Sequence, residues 1–109
     1  MILSTDIWVS ALIRRVELGG GFATVLRKGD IMAGAVLVKS VNRRSDEVKL
    51  FAEATTGDGE RIWMQPCRAD SEAGLDDYIG RAARIDPDLW VIEIDDRDGR
   101  HFLVEPVDI

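Results

Sequence analysis

The sequence predicts an α+β fold: a mainly antiparallel sheet of about six strands, two helices packed on one face, and the order α-β-β-β-β-α-β-β. Three observations carry this. Two stretches, one near the N-terminus and one after Ser71, repeat apolar residues at helical spacing. Between them lie four short apolar or β-branched runs, separated by turns rich in Gly, Asp and Asn. After Pro87 comes Leu89-Trp90-Val91-Ile92-Glu93-Ile94, apolar enough for a strand buried on both faces.

The first helix starts at Asp6, with Ser4 and Thr5 as competing N-caps. Trp8, Val9, Leu12, Ile13 and Val16 form one broad apolar face, and Ser10, Arg14 and Glu17 the opposite one. Arg15 falls within the apolar arc, so it must snorkel, pair with a carboxylate or stack on an aromatic ring. Gly19-Gly20-Gly21 ends the helix, because glycine takes the left-handed C′ conformation without penalty. Strands are expected at Phe22 to Lys28, Ala33 to Val41, Val48 to Ala54 and Glu60 to Gln65. The small-residue segment Ala33-Gly34-Ala35 invites close approach of another backbone. On the fourth strand Trp63 faces away from Ile62 and Met64; with Trp8 and Trp90 it reads as a core or sheet-face residue, but exposed it would be an anchor for a partner.

Ser71 or Asp70 caps the second helix, in which Leu75, Tyr78, Ile79, Ala82 and Ile85 recur at spacings of three and four. Acidic residues near its start and Arg81 and Arg84 near its end suit the helix dipole, and Asp77 can pair with Arg81. Pro87 stops it. Leu89 to Ile94 and His101 to Glu105 then read as a hairpin at the centre of the sheet, reversed by Asp98-Gly99.

With 109 residues, the chain is expected to be a single domain with its own core and a radius of gyration of about 13 Å. No run reaches the length of a membrane span, and Met1-Ile2-Leu3 leads into Ser-Thr-Asp without the pattern of a signal peptide. The lone Cys67 forms no internal disulfide, as suits a reducing cytoplasm. Arginine far outnumbers lysine, which reads as genome composition rather than as a binding function. A net charge of −6 argues against a dedicated nucleic-acid binder. The charge is uneven, +3 over residues 1–50 and −9 over 51–109, which is most simply explained by pairing of the two halves.

Chemical motifs are sparse. Gly57-Asp58-Gly59 lacks the third glycine of a dinucleotide fingerprint and precedes a strand; Gly29 and Gly34 have phosphate-loop spacing without the Lys-Ser/Thr that loop requires. The acidic turn Asp95 to Gly99 mimics part of an EF-hand loop, but Ile94 stands at its first ligand position and strands flank it. No metal or cofactor is implied. Cys67 and His101 are the one nucleophile–base pair on offer, with Glu93 or Asp95 as an acid or base to work with His101. The residues left without a structural explanation are Arg15, Trp63 and the segment Ala33-Gly34-Ala35, joined on the basic surface by Arg14 and Arg27. They fit a protein-binding surface better than proton transfer. A non-catalytic binding module is therefore expected, with a small enzyme as the alternative. A weak homodimer through Phe22–Lys28 or His101–Pro106 is also expected, because an open sheet has edges.

Three stretches together resemble a known family: Trp8 to Arg15; Gly20 to Asp30 running on to Ala33–Lys39; and Asp86 to Glu93. The resemblance is to the small bacterial family called domain of unknown function 1491, found in alphaproteobacteria. It implies a stand-alone cytoplasmic bacterial protein and brings no activity, cofactor or catalytic residue with it.

Overall fold

The computed structural model, which describes residues 4–68 and 71–108, has two helices and six strands; the first seven elements follow the predicted order, and the last strand lies at Val107–Asp108 rather than at the expected His101–Glu105. The elements are α1 (Thr5–Leu18), β1 (Phe22–Arg27), β2 (Val36–Asn42), β3 (Val48–Thr55), β4 (Arg61–Met64), α2 (Glu72–Ile85), β5 (Trp90–Asp96) and the two-residue β6 (Val107–Asp108). The sheet runs β1-β5-β2-β3-β4-β6 and is mixed. β5 pairs antiparallel with β1 but parallel with β2, and β4 pairs parallel with β6, while β2–β3 and β3–β4 are antiparallel. The α+β class holds, and "mainly antiparallel" gives way to this mixture. The radius of gyration is 13.2 Å.

The expected hairpin from Leu89 to Val104 does not form. β5 is central as predicted, but both its edges are occupied, by β1 and by β2, so the chain after Gly99 has no edge to pair with. The reversal itself is real, with Gly99 at φ +74°. His101–Pro106 then crosses the sheet as irregular chain and enters β6 beside β4, so it offers no strand for the expected self-pairing.

The helices also lie on opposite faces rather than together. Trp8, Val9, Leu12 and Val16 of α1 pack on Val36, Val38, Phe51, Trp63, Ile92 and Ile94. Leu75 of α2 packs on the other face with Leu37, Leu50, Leu89 and Val91, supported by Tyr78, Ile79 and Ala82. The alternation of β5 requires this: Trp90, Ile92 and Ile94 need cover on one side, Leu89 and Val91 on the other.

Local details follow the same physics. Ser4, not Asp6, is the N-cap of α1, and the helix start is held by Thr5 and Asp6 N–H groups donating to the carbonyls of Met32 and Ile31. Gly20, at φ +91°, and Gly21 close α1 in a Schellman arrangement, with Gly21 N–H donating to Val16 O and Gly20 N–H to Glu17 O. Ser71 caps α2 by accepting from Gly74 N–H; Asp70, its competitor, lies outside the described residues, as do Met1–Leu3. β2 begins at Val36 because Ala33-Gly34-Ala35 is the predicted close approach: the backbone of Asp88 passes so near that no Cβ fits at Gly34. Lys39, with its side chain 4% exposed, reaches Glu72 at 2.5 Å and Asp76 at 2.9 Å, tying α2 to the sheet. The Asp77–Arg81 pair is not among the ion pairs of the described residues. Arg43–Asp95 and Arg44–Asp98 also join the basic N-terminal half to the acidic C-terminal half.

Candidate functional site

The four residues singled out for partner binding do not form one surface. Arg14 is exposed on the outer side of α1. Arg15 is half-buried and turned toward the C-terminal crossing chain, its Nε donating to the carbonyl of Phe102 at 3.2 Å. That bond holds a residue in the left-handed region, Phe102 at φ +59°, whose ring also lies 4.8 Å beneath the Arg100 guanidinium. Arg27, at the end of β1, donates through Nη2 to Pro87 O at 2.9 Å. Trp63 is no exposed anchor. It is fully buried and stacked on Trp8 with ring centroids 5.5 Å apart. Both indoles donate to one carboxylate, Trp63 Nε1 to Glu105 Oε1 at 3.0 Å and Trp8 Nε1 to Glu105 Oε2 at 3.3 Å. Glu105 is driven up by its burial, yet bonds from Trp63, its own backbone and Trp8 outweigh this and hold it below the usual carboxylate range.

Among the three candidate catalytic residues, the sheet separates His101 from both Cys67 and Glu93. Cys67 packs into the cluster beneath α2, whereas His101 lies edge-on to Phe51 on the α1 face, ring centroids 5.2 Å apart. His101 Nδ1 accepts from Leu103 N–H, which places the remaining proton on Nε2 and shapes the crossing chain. Burial, with Lys49 nearby, pushes its basicity down. Glu93, between Thr24 and Lys39 in register, shares the α2 face with Val91 and is likewise remote from His101. In the acidic turn, Asp96 is fully engaged by Arg100 and by the N–H groups of Asp98 and Arg100, which hold it at about 2. No cluster of His, Cys, Asp or Glu suited to a metal ion occurs among the described residues.

Two other features stand out. The first is the edge of β1. Phe22 is 69% exposed, Leu26 48% and Val25 39%, with exposed Leu18 at the end of α1 just before this strand. Single exposed apolar side chains are ordinary, but a run of them along a strand whose outer edge is open is a template for strand addition. The second is a polar pocket of about 320 Å³ on the α1 face, lined by Thr5, Met32 to Ala35, Glu53 and Arg61. Sequence reading misses it. The available signal is the turn Thr56 to Gly59, which sets the β3–β4 register and brings Glu53 and Arg61 onto one face. A more apolar cleft of about 380 Å³ opens beside α2, lined by Leu37, Tyr78, Ala82, Ile85 and Leu89 with Arg81 and Asp86.

Comparison with known proteins agrees with this architecture. A family model described as "Protein of unknown function (DUF1491)" matches residues 3–104. No curated protein matches the chain. The crystal structure of a DUF1491 family protein from Caulobacter crescentus is 71% identical, with a TM-score of 0.96, covering 98% of this chain and 100% of its own. An NMR structure of a DUF1491 family protein from the same organism, also 71% identical, has a TM-score of 0.93 over 100% of this chain and 99% of its own. A protein from A. tumefaciens, solved in solution, is 31% identical with a TM-score of 0.80, over 100% of this chain and 98% of its own.

Proposed function

This chain belongs to the DUF1491 family, and we propose that it is a non-catalytic binding module of the bacterial cytoplasm that adds an extended segment of a partner protein to β1. One observation carries the reading: β1 is an edge strand of six residues, paired with β5 on one side and open on the other, whose Phe22, Val25 and Leu26 stay exposed. At the opposite edge β6 has only two residues, too few for a comparable ladder. Main-chain hydrogen bonds would supply affinity at β1, and the exposed side chains would supply selectivity. Arg27 and Lys28 at the end of the strand favour an acidic residue in the segment taken up. The placement of Cys67 and His101 on opposite faces weighs against the enzyme alternative.

The test is affinity capture from a native cell extract with the wild-type chain and with Phe22→Lys and Val25→Lys, both exposed positions. Hydrogen exchange of the captured complex then follows. A partner lost in both variants, together with slowed exchange of β1 amides in the wild-type complex, is the expected result. Retention of the partner by both variants, or unchanged exchange in β1, overturns the reading. Trp63→Ala is unsuitable here, because it would excavate the core. Sedimentation distinguishes a second copy from a different protein as the occupant of the edge.

A further inference from the structure

The polar pocket beside the N-terminal end of α1 has binding capacity that the fold leaves unused. Glu53 on β3 and Arg61 on β4 stand on the face that carries Trp63, with Glu53 opposite Trp63 and Arg61 opposite Thr55. Arg61 Nη1 lies 2.9 Å from Glu53 Oε2 as an ion pair, but off the line of a hydrogen bond, and this buried nitrogen has no hydrogen-bond partner. The two side chains are only 29% and 16% exposed. A guanidinium carries five N–H donors in a fixed fork, so Arg61 retains unused donors; Glu53 accepts from the Val36 N–H, and a carboxylate with two oxygens has room for a further donor.

The rest of the wall is already satisfied. Thr5 hydroxyl donates to Gly34 O and Thr5 N–H to Met32 O, while the nearby Glu105 is taken by the two indoles. Ala33, Gly34 and Ala35 add no polar side chain, and Met32 stands exposed at the rim. An ion pair that served only to staple β3 to β4 would need no space beside it. Here the space is about 320 Å³, at the small end of ligand pockets, and it is lined by a base with an unpartnered N–H group and an acid side by side.

We propose that this pocket binds a small zwitterion, a free α-amino acid with a short side chain, its carboxylate on the unused N–H groups of Arg61 and its ammonium on Glu53. A lone anion would face Glu53, and a lone cation would face Arg61; only a ligand with both charges on neighbouring atoms complements the pair. The site is remote in chain position and role from β1, so the two proposals stand or fall separately.

The experiment is a titration of ¹⁵N-labelled protein, followed by amide shifts, with glycine, alanine and serine and with the half-ligands propionate and ethylamine. Shifts centred on Thr5, Ala33 to Ala35, Glu53 and Arg61 are expected with the amino acids. Each half-ligand should bind at least about tenfold more weakly, the loss expected when one charged hydrogen-bonded contact is missing. Glu53→Gln and Arg61→Gln should each weaken amino-acid binding by a similar factor, and Glu53→Gln should also erase the preference for alanine over propionate. Absence of shifts at about 10 mM of all three amino acids, a concentration well above a weak metabolite Kd, overturns the proposal. So does equal binding of propionate and alanine to the native chain, a comparison that needs no variant to fold.

Discussion

Replacing Glu105 with Gln removes half of an acceptor on which two buried indoles depend. The carboxylate receives Trp63 Nε1 on one oxygen and Trp8 Nε1 on the other, and the two rings are 0% and 5% exposed. A carboxamide of the same shape offers one oxygen. Its NH₂ must then meet an indole N–H, donor against donor, beside rings that are buried although Glu105 itself is only half-buried. One buried donor left unsatisfied costs about 1–3 kcal/mol, and the surviving bond weakens on passing from a charged to a neutral acceptor. Glu105→Gln should therefore destabilise the fold by about 2–3 kcal/mol, which lowers Tm by roughly 8–12 °C in a domain of this size. Urea unfolding followed by tryptophan fluorescence measures it. A second background isolates the cause: Trp8→Phe removes the longer of the two bonds, and the carboxamide can then give its oxygen to Trp63 and its NH₂ to a ring face. In that background the same change should cost less than about 1 kcal/mol. The native carboxyl is held below its unfolded value, so its contribution is present above the unfolded pKa and lost as pH falls through the folded one. The Glu105→Gln variant should lack that part of the acid-side decline. A cost below about 0.5 kcal/mol, or an equal cost in both backgrounds, would refute the reasoning.

Gly34→Ala places a Cβ 2.3 Å from Asp88 O and 2.8 Å from Trp90 Cδ1, and the first of these is backbone that cannot swing aside; a loss of about 2–4 kcal/mol is expected in denaturant unfolding. Gly57→Ala, with open space around its Cβ, is the control and should fall within about 0.5 kcal/mol of wild type. Asp96 is held at about 2, chiefly by Arg100, so its stabilising effect is complete above the unfolded carboxylate range and disappears as pH falls toward about 2. Asp96→Asn should be less stable at neutral pH and show a flatter acid limb, read from Tm between pH 5 and pH 2.

How far the fold is legible depends on whether a residue's partners are near it in sequence. The glycine stop of α1, the Ser71 cap, the Thr56–Gly59 turn and the order of the first seven elements rest on local chemistry, and the structure keeps all of them. β5 shows where local reasoning fails. A strand read as buried on both sides already demands a helix on each face, because Val91 and Ile92 cannot be covered from one side. Placing both helices together contradicts that reading. The Asp98-Gly99 turn is likewise legible, but a turn specifies a reversal and not a partner. Which strand takes the edge of β5 is decided by competition with β1 and β2, more than 45 residues earlier in the chain. Trp63 misleads for the same reason: a four-residue strand shows alternation without showing which face is the core, and the acceptor of its indole lies 42 residues away. The Glu53–Arg61 pair is the recoverable omission. Its two members flank one short turn; pairing Thr55 with Arg61 sets Glu53 two residues further along the same face, within reach of an arginine diagonally across the ladder. A charge pair fixed by a turn can be read from sequence; whether space lies beside it depends on Thr5 and the Met32–Ala35 loop, and only the fold brings those together.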